Sequence, residues 1–381
     1  MKIVEIRGFN LSFPLAEPMG NALNLFRKRD ALVVQIRTDT GLTGWGESGN
    51  SPHAAAAFIR ARLAGLVLGK SPLDVGRHFQ AMCGAVGYDR RGAAMMAVSA
   101  IDVALHELVA KVHGVSVATL LGGAVRDRVF AYASGPFVRT KPDPYREYQR
   151  EVDGYLARNF RAIKPRGGVD ARADGQMANA LRKQVGRDIG IMVDINQGYT
   201  AAAAIRSARA MEEADLLWIE EPVQAEDLPG YQQASRGIST AIAGGEALGS
   251  LRGFRDFVAA GAFDILQPDL SICGGYSGFR QIWALAQAYD LPIMPHVFGT
   301  VVNFHASLQM AAVLEPRRGG AAHAYPFIEY DMMDNPLLDL CGTPAISGEG
   351  MLTVPDASGT GLDLDAGRLE PWITDTWSER L

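Results

Sequence analysis

Residues 189–196 read IGIMVDIN, residues 216–222 read LLWIEEP and residues 240–246 read TAIAGGE. In each stretch an acidic residue follows a short apolar run, and the acids Asp194, Glu220 and Glu246 recur 26 positions apart. Short apolar runs that alternate with polar, alanine-rich stretches such as 201–214 are typical of repeated β/α units. We therefore expect the three acids at the same end of three successive parallel strands.

The same alternation of apolar and helical stretches continues from residue 126 onward. Eight predicted strands that alternate with helices over roughly 200 residues favour a closed barrel over an open sheet. The predicted strands are 129–135, 161–167, 189–196, 216–222, 240–246, 263–270, 291–297 and 324–330.

The first 125 residues have a different pattern, in which strands come before helices. Residues 31–48 predict a β-hairpin, because apolar positions alternate on both sides of a TDTG turn. Residues 99–114 predict a helix that ends at a glycine. The predicted fold is α/β: a TIM-type (β/α)7β barrel at 126–345 with an N-terminal α+β capping domain at 1–125. We expect the Gly- and Asp-rich segment 346–381 to return to the capping domain and complete it.

Composition excludes several classes of protein. The chain has 381 residues, 48% of them hydrophobic and 21% charged, and its net charge of −5 argues against nucleic-acid and anionic-membrane partners. Its three cysteines show neither a disulfide framework nor zinc-site spacing. The N-terminus lacks the apolar segment of a signal peptide, and we saw no run approaching the ~20 apolar residues that span a bilayer. We expect a cytoplasmic enzyme that forms a homo-oligomer, between a dimer and an octamer, and acts on a small-molecule carboxylate.

The three acids predict a metal site. The carboxyl ends of parallel strands form one rim of a barrel, where active sites of such barrels lie. Three carboxylates that converge there repel each other unless a hard cation lies between them, and oxygen ligands suit Mg²⁺. The cofactor we expect is one Mg²⁺ held by Asp194, Glu220 and Glu246. Since strand side chains alternate, only Glu220 of the pair Glu220–Glu221 should face the barrel mouth.

The same alternation places other polar side chains at the barrel mouth. Lys164 and Arg166 should point the same way from the second strand, and Asn196 should point the same way as Asp194, where it is a candidate for substrate binding. Asp269 ends the sixth strand and His296 ends the seventh. A carboxylate next to an imidazole would fix its tautomer and raise its basicity. We therefore expect Asp269 and His296 to form a general-base pair.

The ordered set of motifs resembles the enolase superfamily, in its mandelate racemase subgroup. The chain shares the successive strand-end motifs KPR, DIN, WIEEP, GGE, QPD and PHVFGT, and a similar capping-domain helix within 99–123. The resemblance implies the metal triad and the Asp269–His296 base pair. It also implies that Lys164 contacts the substrate carboxylate and that Glu329, in FIEYD, is an eighth-strand acid that bonds it. Enzymes of this superfamily use Mg²⁺ to stabilise an enediolate.

One residue departs from the pattern of the racemases in that subgroup. Those enzymes carry Lys-x-Lys on the second strand, whereas this chain has Arg166 at the second position. A guanidinium stays protonated, so it is a poor proton acceptor, but its planar set of donors suits a carboxylate or vicinal hydroxyls. A structural arginine paired with a barrel acid is the alternative.

The predicted reaction begins when His296 removes the proton alpha to the carboxylate of a polyhydroxy acid or its lactone. Mg²⁺, Lys164 and protonated Glu329 would stabilise the enediolate, which then undergoes β-elimination (dehydration) or cycloisomerisation. Substrate recognition is expected from residues 17–30, where Asn21, Asn24 and Arg27 are candidate contacts unless this basic cluster is a solvated loop.

Three other functions remain open at this point. The first is a racemase or epimerase with a single or unidentified second base. The second is a non-catalytic sugar-acid-binding relic, motivated by the lost second lysine. The third is a glycosidase with paired carboxylates, although three evenly spaced acids are better used on a metal.

Overall fold

The structure is a computed structural model that describes residues 1–140, 142–319, 322–342 and 344–381. Its N-terminal region contains a β-meander followed by helices. These elements are β1 (Ile3–Gly20), β2 (Leu25–Thr38), β3 (Thr43–Ser48), α1 (Pro52–Phe58), α2 (Ala64–Val67), α3 (Val75–Ala85), α4 (Gly92–His113) and α5 (Val117–Leu120). A π-helical turn, Ile59–Leu63, joins α1 to α2.

Side chains of the antiparallel sheet in this region point alternately to its two faces, and both faces are buried. Leu32, Val34 and Ile36 on β2 pack against the helices, while Val33 belongs to a second core on the opposite face. Helix α4 lies very close to β3, since a Cβ atom on Gly46 would meet a backbone oxygen of α4 at 1.9 Å. The predicted hairpin and helix are confirmed, although the helix begins earlier than predicted.

The remaining elements form the barrel and the C-terminal segment. The strands are β4 (Arg128–Ser134), β5 (Val138–Arg139), β6 (Ala162–Lys164), β7 (Gly190–Ile191), β8 (Val193–Asp194), β9 (Ile219–Glu220), β10 (Ile242–Gly244), β11 (Ile265–Leu266), β12 (Phe327–Asp331), β13 (Met351–Thr353) and β14 (Ile373–Arg380). The helices are α6 (Tyr148–Ala157), α7 (Ala171–Val185), α8 (Ala201–Ala210), α9 (Leu228–Gly237), α10 (Leu251–Ala259), α11 (Gly275–Ala288) and α12 (Val301–Val313). Short 3₁₀ helices cover Glu212–Ala214 and Ala366–Trp372.

The barrel strands pair in parallel around a filled interior. One path runs β12-β4-β6-β7 and another runs β8-β9-β10-β11, and a bridge between Arg166 and Asp194 joins the two. The predicted seventh strand is not continuous, because only Ile293 and His296 form bridges to the sixth. Inward side chains are apolar at the amino ends of the strands, where Trp218 is fully buried, and polar at the carboxyl ends.

The C-terminal segment contacts both parts of the molecule. Strand β14 pairs antiparallel with β1, so the chain end completes the capping sheet as predicted. Strand β13, in contrast, pairs antiparallel with the first barrel strand, β4.

Helix α4 corrects one expectation from the sequence. By length and composition alone it is apolar enough to cross a membrane, contrary to the expectation that no run approaches that length. In the fold, 94% of its most apolar window is buried. It is the central helix of the capping-domain core.

Candidate active site

The three predicted metal ligands lie together at the carboxyl ends of neighbouring strands. Asp194 ends β8, Glu220 ends β9 and Glu246 follows β10, and one oxygen of each lies within 4.8 Å of the others. Asp194 and Glu220 are almost fully buried, and Glu246 is partly exposed. Burial and the neighbouring charge of Glu220 raise the pKa of Asp194 to about 7, despite Arg166. Burial also raises the pKa of Glu246.

This donor set fits a hard divalent cation. Mg²⁺ prefers carboxylate and carbonyl oxygens, and the cluster concentrates like charges that a cation would neutralise. Beside it, the buried Oδ1 atom of Asn196 has no hydrogen-bond partner among the described residues, whereas its Nδ2 donates to Asp194 Oδ2 (3.0 Å). An unpaired buried carbonyl costs free energy unless a cation or donor reaches it.

Lys164 lies beneath the triad and connects it to the eighth strand. Its fully buried ammonium group donates to Glu220 and lies 2.9 Å from Glu329 Oε1. Although burial opposes it, the carboxylates of Glu220 and Glu329 raise the pKa of Lys164 above its usual value. Lys164 in turn holds the pKa of Glu220 below its usual value against burial. Lys164 is therefore a fixed positive charge.

The surroundings of Glu329 favour its ionised form, whereas the sequence predicted a protonated acid. Its Oε1 accepts from Ser134 Oγ (2.5 Å), and its Oε2 accepts from the Val297 backbone N–H (3.1 Å). Burial would raise its pKa, but the charges of Lys164 and His296 hold it well below the usual range. This arrangement favours the carboxylate form of Glu329 over the protonated form expected from the sequence, because the groups around it are donors and cations.

Asp269 and His296, the predicted general-base pair, lie in hydrogen-bond contact. His296 Nδ1 lies 2.7 Å from Asp269 Oδ2, and the other ring nitrogen, Nε2, lies 3.3 Å from Glu246 Oε2. Asp269 Oδ1 accepts from the backbone N–H and hydroxyl of Ser271 at 2.7 and 2.6 Å. Burial lowers the pKa of His296, but Glu246, Glu329 and the bond to Asp269 outweigh it and raise that pKa to about 10. The pair thus turns Nε2 toward the triad.

Arg166 is buried between the triad and the eighth strand. Its Nη1 donates to Asp194, its Nη2 donates to Ser134 Oγ (2.9 Å), and it lies 3.8 Å from Glu329 Oε1. Burial lowers its pKa, but Asp194 and Glu329 raise it above the usual value of a guanidinium. Pairing with a barrel acid, the alternative from the sequence, is therefore present, and Arg166 also lines the cavity above.

A cavity of about 340 Å³ lies between the barrel mouth and the tip of the β1–β2 hairpin. Its described lining is formed by Asn21, Leu23, Asn24, Phe26, Gly49, Asn50, Met96, Phe137, Arg166, Asn196, Gln197, Glu221, Glu246, Ala247, Asp269, Ile272, His296 and Phe298. Most of the predicted functional residues thus meet in one space, with Lys164, Asp194, Glu220 and Glu329 in the layer below.

Residues 17–30 form the tip of a β-hairpin, not the loop expected from the sequence. Asn21 and Asn24 line the cavity, whereas Arg27 is exposed and absent from its described lining. The buried arginine of the hairpin is Arg29, which stacks 3.6 Å from the Phe298 ring centroid and pairs with Asp331 (3.0 Å). The alternation of inward and outward side chains along a hairpin strand could have identified Arg29 as an inward residue.

Glu221 is an acidic cavity residue that sequence reasoning missed. It is 2% exposed, lines the cavity and accepts from Gln197 Nε2 (3.0 Å). Burial and the charge of Glu246 raise its pKa well above the usual value. The expectation that only Glu220 faces the mouth is wrong because Glu221 adopts a φ of 40°, which ends the alternation of the strand.

Comparison with known proteins places this site in a family. The model for the N-terminal domain of mandelate racemase / muconate lactonizing enzyme matches residues 3–122, and the enolase C-terminal domain-like model matches residues 147–368. D-galactarolactone cycloisomerase from Agrobacterium fabrum is 33% identical over 371 residues, covering 97% of this chain and 98% of the relative.

Solved structures agree with these matches. The 3,6-anhydro-D-galactonate cycloisomerase from Zobellia galactanivorans superposes with a TM-score of 0.88 at 30% identity, covering 98% of this chain and all of the other. L-talarate/galactarate dehydratase from Salmonella typhimurium, liganded with Mg and L-lyxarohydroxamate, superposes with a TM-score of 0.87 at 27% identity, covering 100% and 95%. The chain therefore belongs to the mandelate racemase / muconate lactonizing enzyme family of the enolase superfamily.

Proposed function

We propose that this chain is a Mg²⁺-dependent enzyme that removes the proton alpha to the carboxylate of a polyhydroxy acid or its lactone. The reaction is completed by β-elimination or by cycloisomerisation. One observation carries the proposal: a three-carboxylate cluster at the floor of the cavity meets a carboxylate–histidine pair, with His296 Nε2 3.3 Å from Glu246 Oε2. The relatives named as sugar-acid dehydratase and lactone cycloisomerase favour the same chemistry.

Asp194, Glu220 and Glu246 would hold the metal. When bound, Mg²⁺ would neutralise the cluster and stabilise the negative charge that develops on the substrate carboxylate. The remaining chemistry belongs to the side chains of this protein.

His296 is the base in this proposal. Asp269 accepts from Nδ1. Glu246 is the main charge that raises the pKa of His296 and favours a proton on Nε2, so neutralisation of Glu246 by Mg²⁺ would leave the Nε2 lone pair directed at the cavity. A carboxylate on the other ring nitrogen fixes the tautomer of a histidine and raises its basicity. Once protonated, Nε2 can donate to the departing β-oxygen when the leaving group lies on the same face.

Lys164 and Arg166 are fixed cations on the second strand. Both are charged in this setting, so they can bind and orient carboxylate or hydroxyl oxygens but cannot accept the α-proton. With a working base on one face only, elimination or ring rearrangement is favoured over racemisation. The intact base pair and triad also oppose the reading of a non-catalytic relic.

The substrate is proposed to be hydroxylated, not aromatic. Asn21, Asn24 and Gln197 supply amide groups around the cavity, and Arg166 supplies a guanidinium. Amides pair with hydroxyl groups of either polarity, because they both donate and accept.

The test is a panel of acid sugars and their lactones incubated with the enzyme and Mg²⁺. We expect formation of a 2-keto-3-deoxy acid, detected as its semicarbazone, or a change in lactone signals by NMR. Consumption should stop with a chelator. A folded, Mg²⁺-loaded enzyme that leaves the whole panel unchanged would contradict the proposal.

We also propose a cytoplasmic homo-oligomer, between a dimer and an octamer, with no nucleic-acid or membrane partner. The proposed domain boundaries are 1–125, 126–345 and 346–381. The family matches at residues 3–122 and 147–368 support separate capping and barrel regions. Light scattering after gel filtration gives the oligomeric state, and a monomeric mass would contradict it.

A further inference from the structure

The loop after the seventh strand is held by a carboxylate from the capping domain. Glu47 on β3 is 2% exposed, and it reaches the first turn of the barrel helix α12. The Thr300 backbone N–H lies 2.9 Å from Oε1 and 3.1 Å from Oε2, and the Thr300 hydroxyl donates to Oε2 (2.6 Å). The Asn303 backbone N–H also donates to Oε2 (3.0 Å). Negative charge is favourable at this end of a helix.

The approach of Glu47 is so close that residue 299 has to lack a side chain. A Cβ atom on Gly299 would lie 2.3 Å from Glu47 Oε1. The loop that begins just after His296 is therefore shaped to admit this carboxylate.

Two routes of hydrogen bonds connect this end of β3 to the Asp269–His296 pair. Asn303, held through its backbone by Glu47, donates its Nδ2 to Asp269 Oδ1 (3.2 Å). Gly49, two residues beyond Glu47, donates its N–H to the Ser271 carbonyl (3.2 Å). Ser271 itself donates twice to Asp269 Oδ1. Both routes meet on the oxygen of Asp269 that does not contact His296.

We propose that Glu47 is a positioning residue for the Asp269–His296 base, so that the capping domain aligns the general base of the barrel. The proposal rests on the assignment of His296 as the base. Glu47 is not part of the described cavity lining, so it acts through Asn303 and Thr300. Its place at the junction of the domains explains why a carboxylate is buried there.

The test is Glu47→Gln. An amide nitrogen at the Oε2 position removes the acceptor of the Asn303 N–H, and one at the Oε1 position turns its hydrogens toward the Thr300 N–H, which then keeps only its 3.1 Å acceptor. Because groups that orient a functional side chain typically change activity by roughly 10–100-fold, we expect kcat to fall by that factor. KM should stay within about twofold, since the described cavity wall is unchanged. Solvent-deuterium exchange at the α-carbon should slow in parallel with kcat.

Asp102→Asn is the matched control. Asp102 is another fully buried capping-domain carboxylate that accepts from a barrel helix, here the Ser277 N–H (3.0 Å) near the start of α11. We expect this variant to lower the melting temperature while kcat stays near wild type. An equal loss of kcat in both variants would mean general loosening of the domains and would overturn the proposal.

A double-mutant cycle gives the second readout. If Glu47 acts through Asn303, then combining Glu47→Gln with Asn303→Ala should cost less than the product of the single effects. If the effects of the two substitutions multiply in full, Glu47 does not act through Asn303, and the proposal is overturned. If wild-type enzyme shows no α-proton exchange, the proposed function itself fails. If it exchanges and Glu47→Gln matches wild type, only the positioning role fails.

Discussion

Replacing Asp269 with asparagine should abolish the base without unfolding the site. Asp269 Oδ1 accepts from the Ser271 backbone N–H, the Ser271 hydroxyl and Asn303 Nδ2, whereas Oδ2 faces His296 Nδ1 at 2.7 Å. Of the three donors to Oδ1, the Ser271 backbone N–H cannot turn into an acceptor, whereas the hydroxyl and the Asn303 amide can. The new amide should therefore keep its carbonyl at the Oδ1 position.

The magnitude follows from the two orientations. Placing the NH₂ group at the Oδ1 position would leave the Ser271 backbone N–H unpaired, at about 1–3 kcal/mol. The NH₂ group is consequently held against His296 Nδ1, and the ring must carry its proton on Nε2. A catalytic histidine held in the wrong tautomer loses about 10⁴-fold in kcat. That factor corresponds to about 5.5 kcal/mol.

The assay is solvent-deuterium incorporation at the α-carbon, followed by proton NMR in deuterated water. We expect exchange by Asp269→Asn to fall about 10⁴-fold, with the melting temperature close to wild type. Asp102→Asn is the control, since it makes the same change at another fully buried aspartate that lies outside the described cavity lining. Exchange by Asp269→Asn at the wild-type rate would refute the tautomer argument.

Three further predictions concern the metal, the stereochemistry and the fold. Glu246→Gln should weaken Mg²⁺ binding in calorimetry and abolish turnover, so full activity in this variant would contradict the triad. Because Arg166 is a fixed cation and cannot accept a proton, the enzyme should consume one of two α-epimers and leave the other, as measured by chiral chromatography. Rapid interconversion of the epimers would instead indicate an epimerase. Burial raises the pKa of Glu5, but Arg37 and Arg380 outweigh it and lower that pKa below 4.5. Their hydrogen bonds to Glu5 connect β2 and β14 to β1. The Glu5 carboxylate therefore stabilises the fold above pH 4.5, and this contribution is lost as the pH falls through the lowered pKa. In Glu5→Gln the free energy of unfolding should depend less on pH in that range. An unchanged pH dependence would contradict the stabilising role of these ion pairs.

The barrel and its metal cluster could be predicted because they depend on local periodicity. An apolar run that ends in an acid marks the carboxyl end of a strand, and equal spacing repeats that end around the barrel. The same logic paired Asp269 with His296 across neighbouring strands, and the parallel bridge between them confirms it.

Features that depend on departures from ideal strands could not be predicted in this way. Glu221 enters the cavity because its φ is positive, which alternation does not anticipate. Glu47 lies in an ordinary strand sequence, and its contacts with Gly299 and Thr300 arise only from the tertiary fold. The protonation of Glu329 depends on Lys164 and His296 from two other strands, so it too required the assembled barrel.

Replacing His296 with asparagine tests whether His296 takes the α-proton of a substrate held at the Mg²⁺ site. Proton NMR in deuterated water, on the substrate identified from the acid-sugar panel, would follow the α-proton signal with wild-type and variant enzyme, while calorimetry measures their Mg²⁺ affinity. We predict rapid loss of the signal with the wild type, no loss with the variant, and Mg²⁺ binding by both. Exchange that persists in the variant would show that another group is the base and would contradict the account.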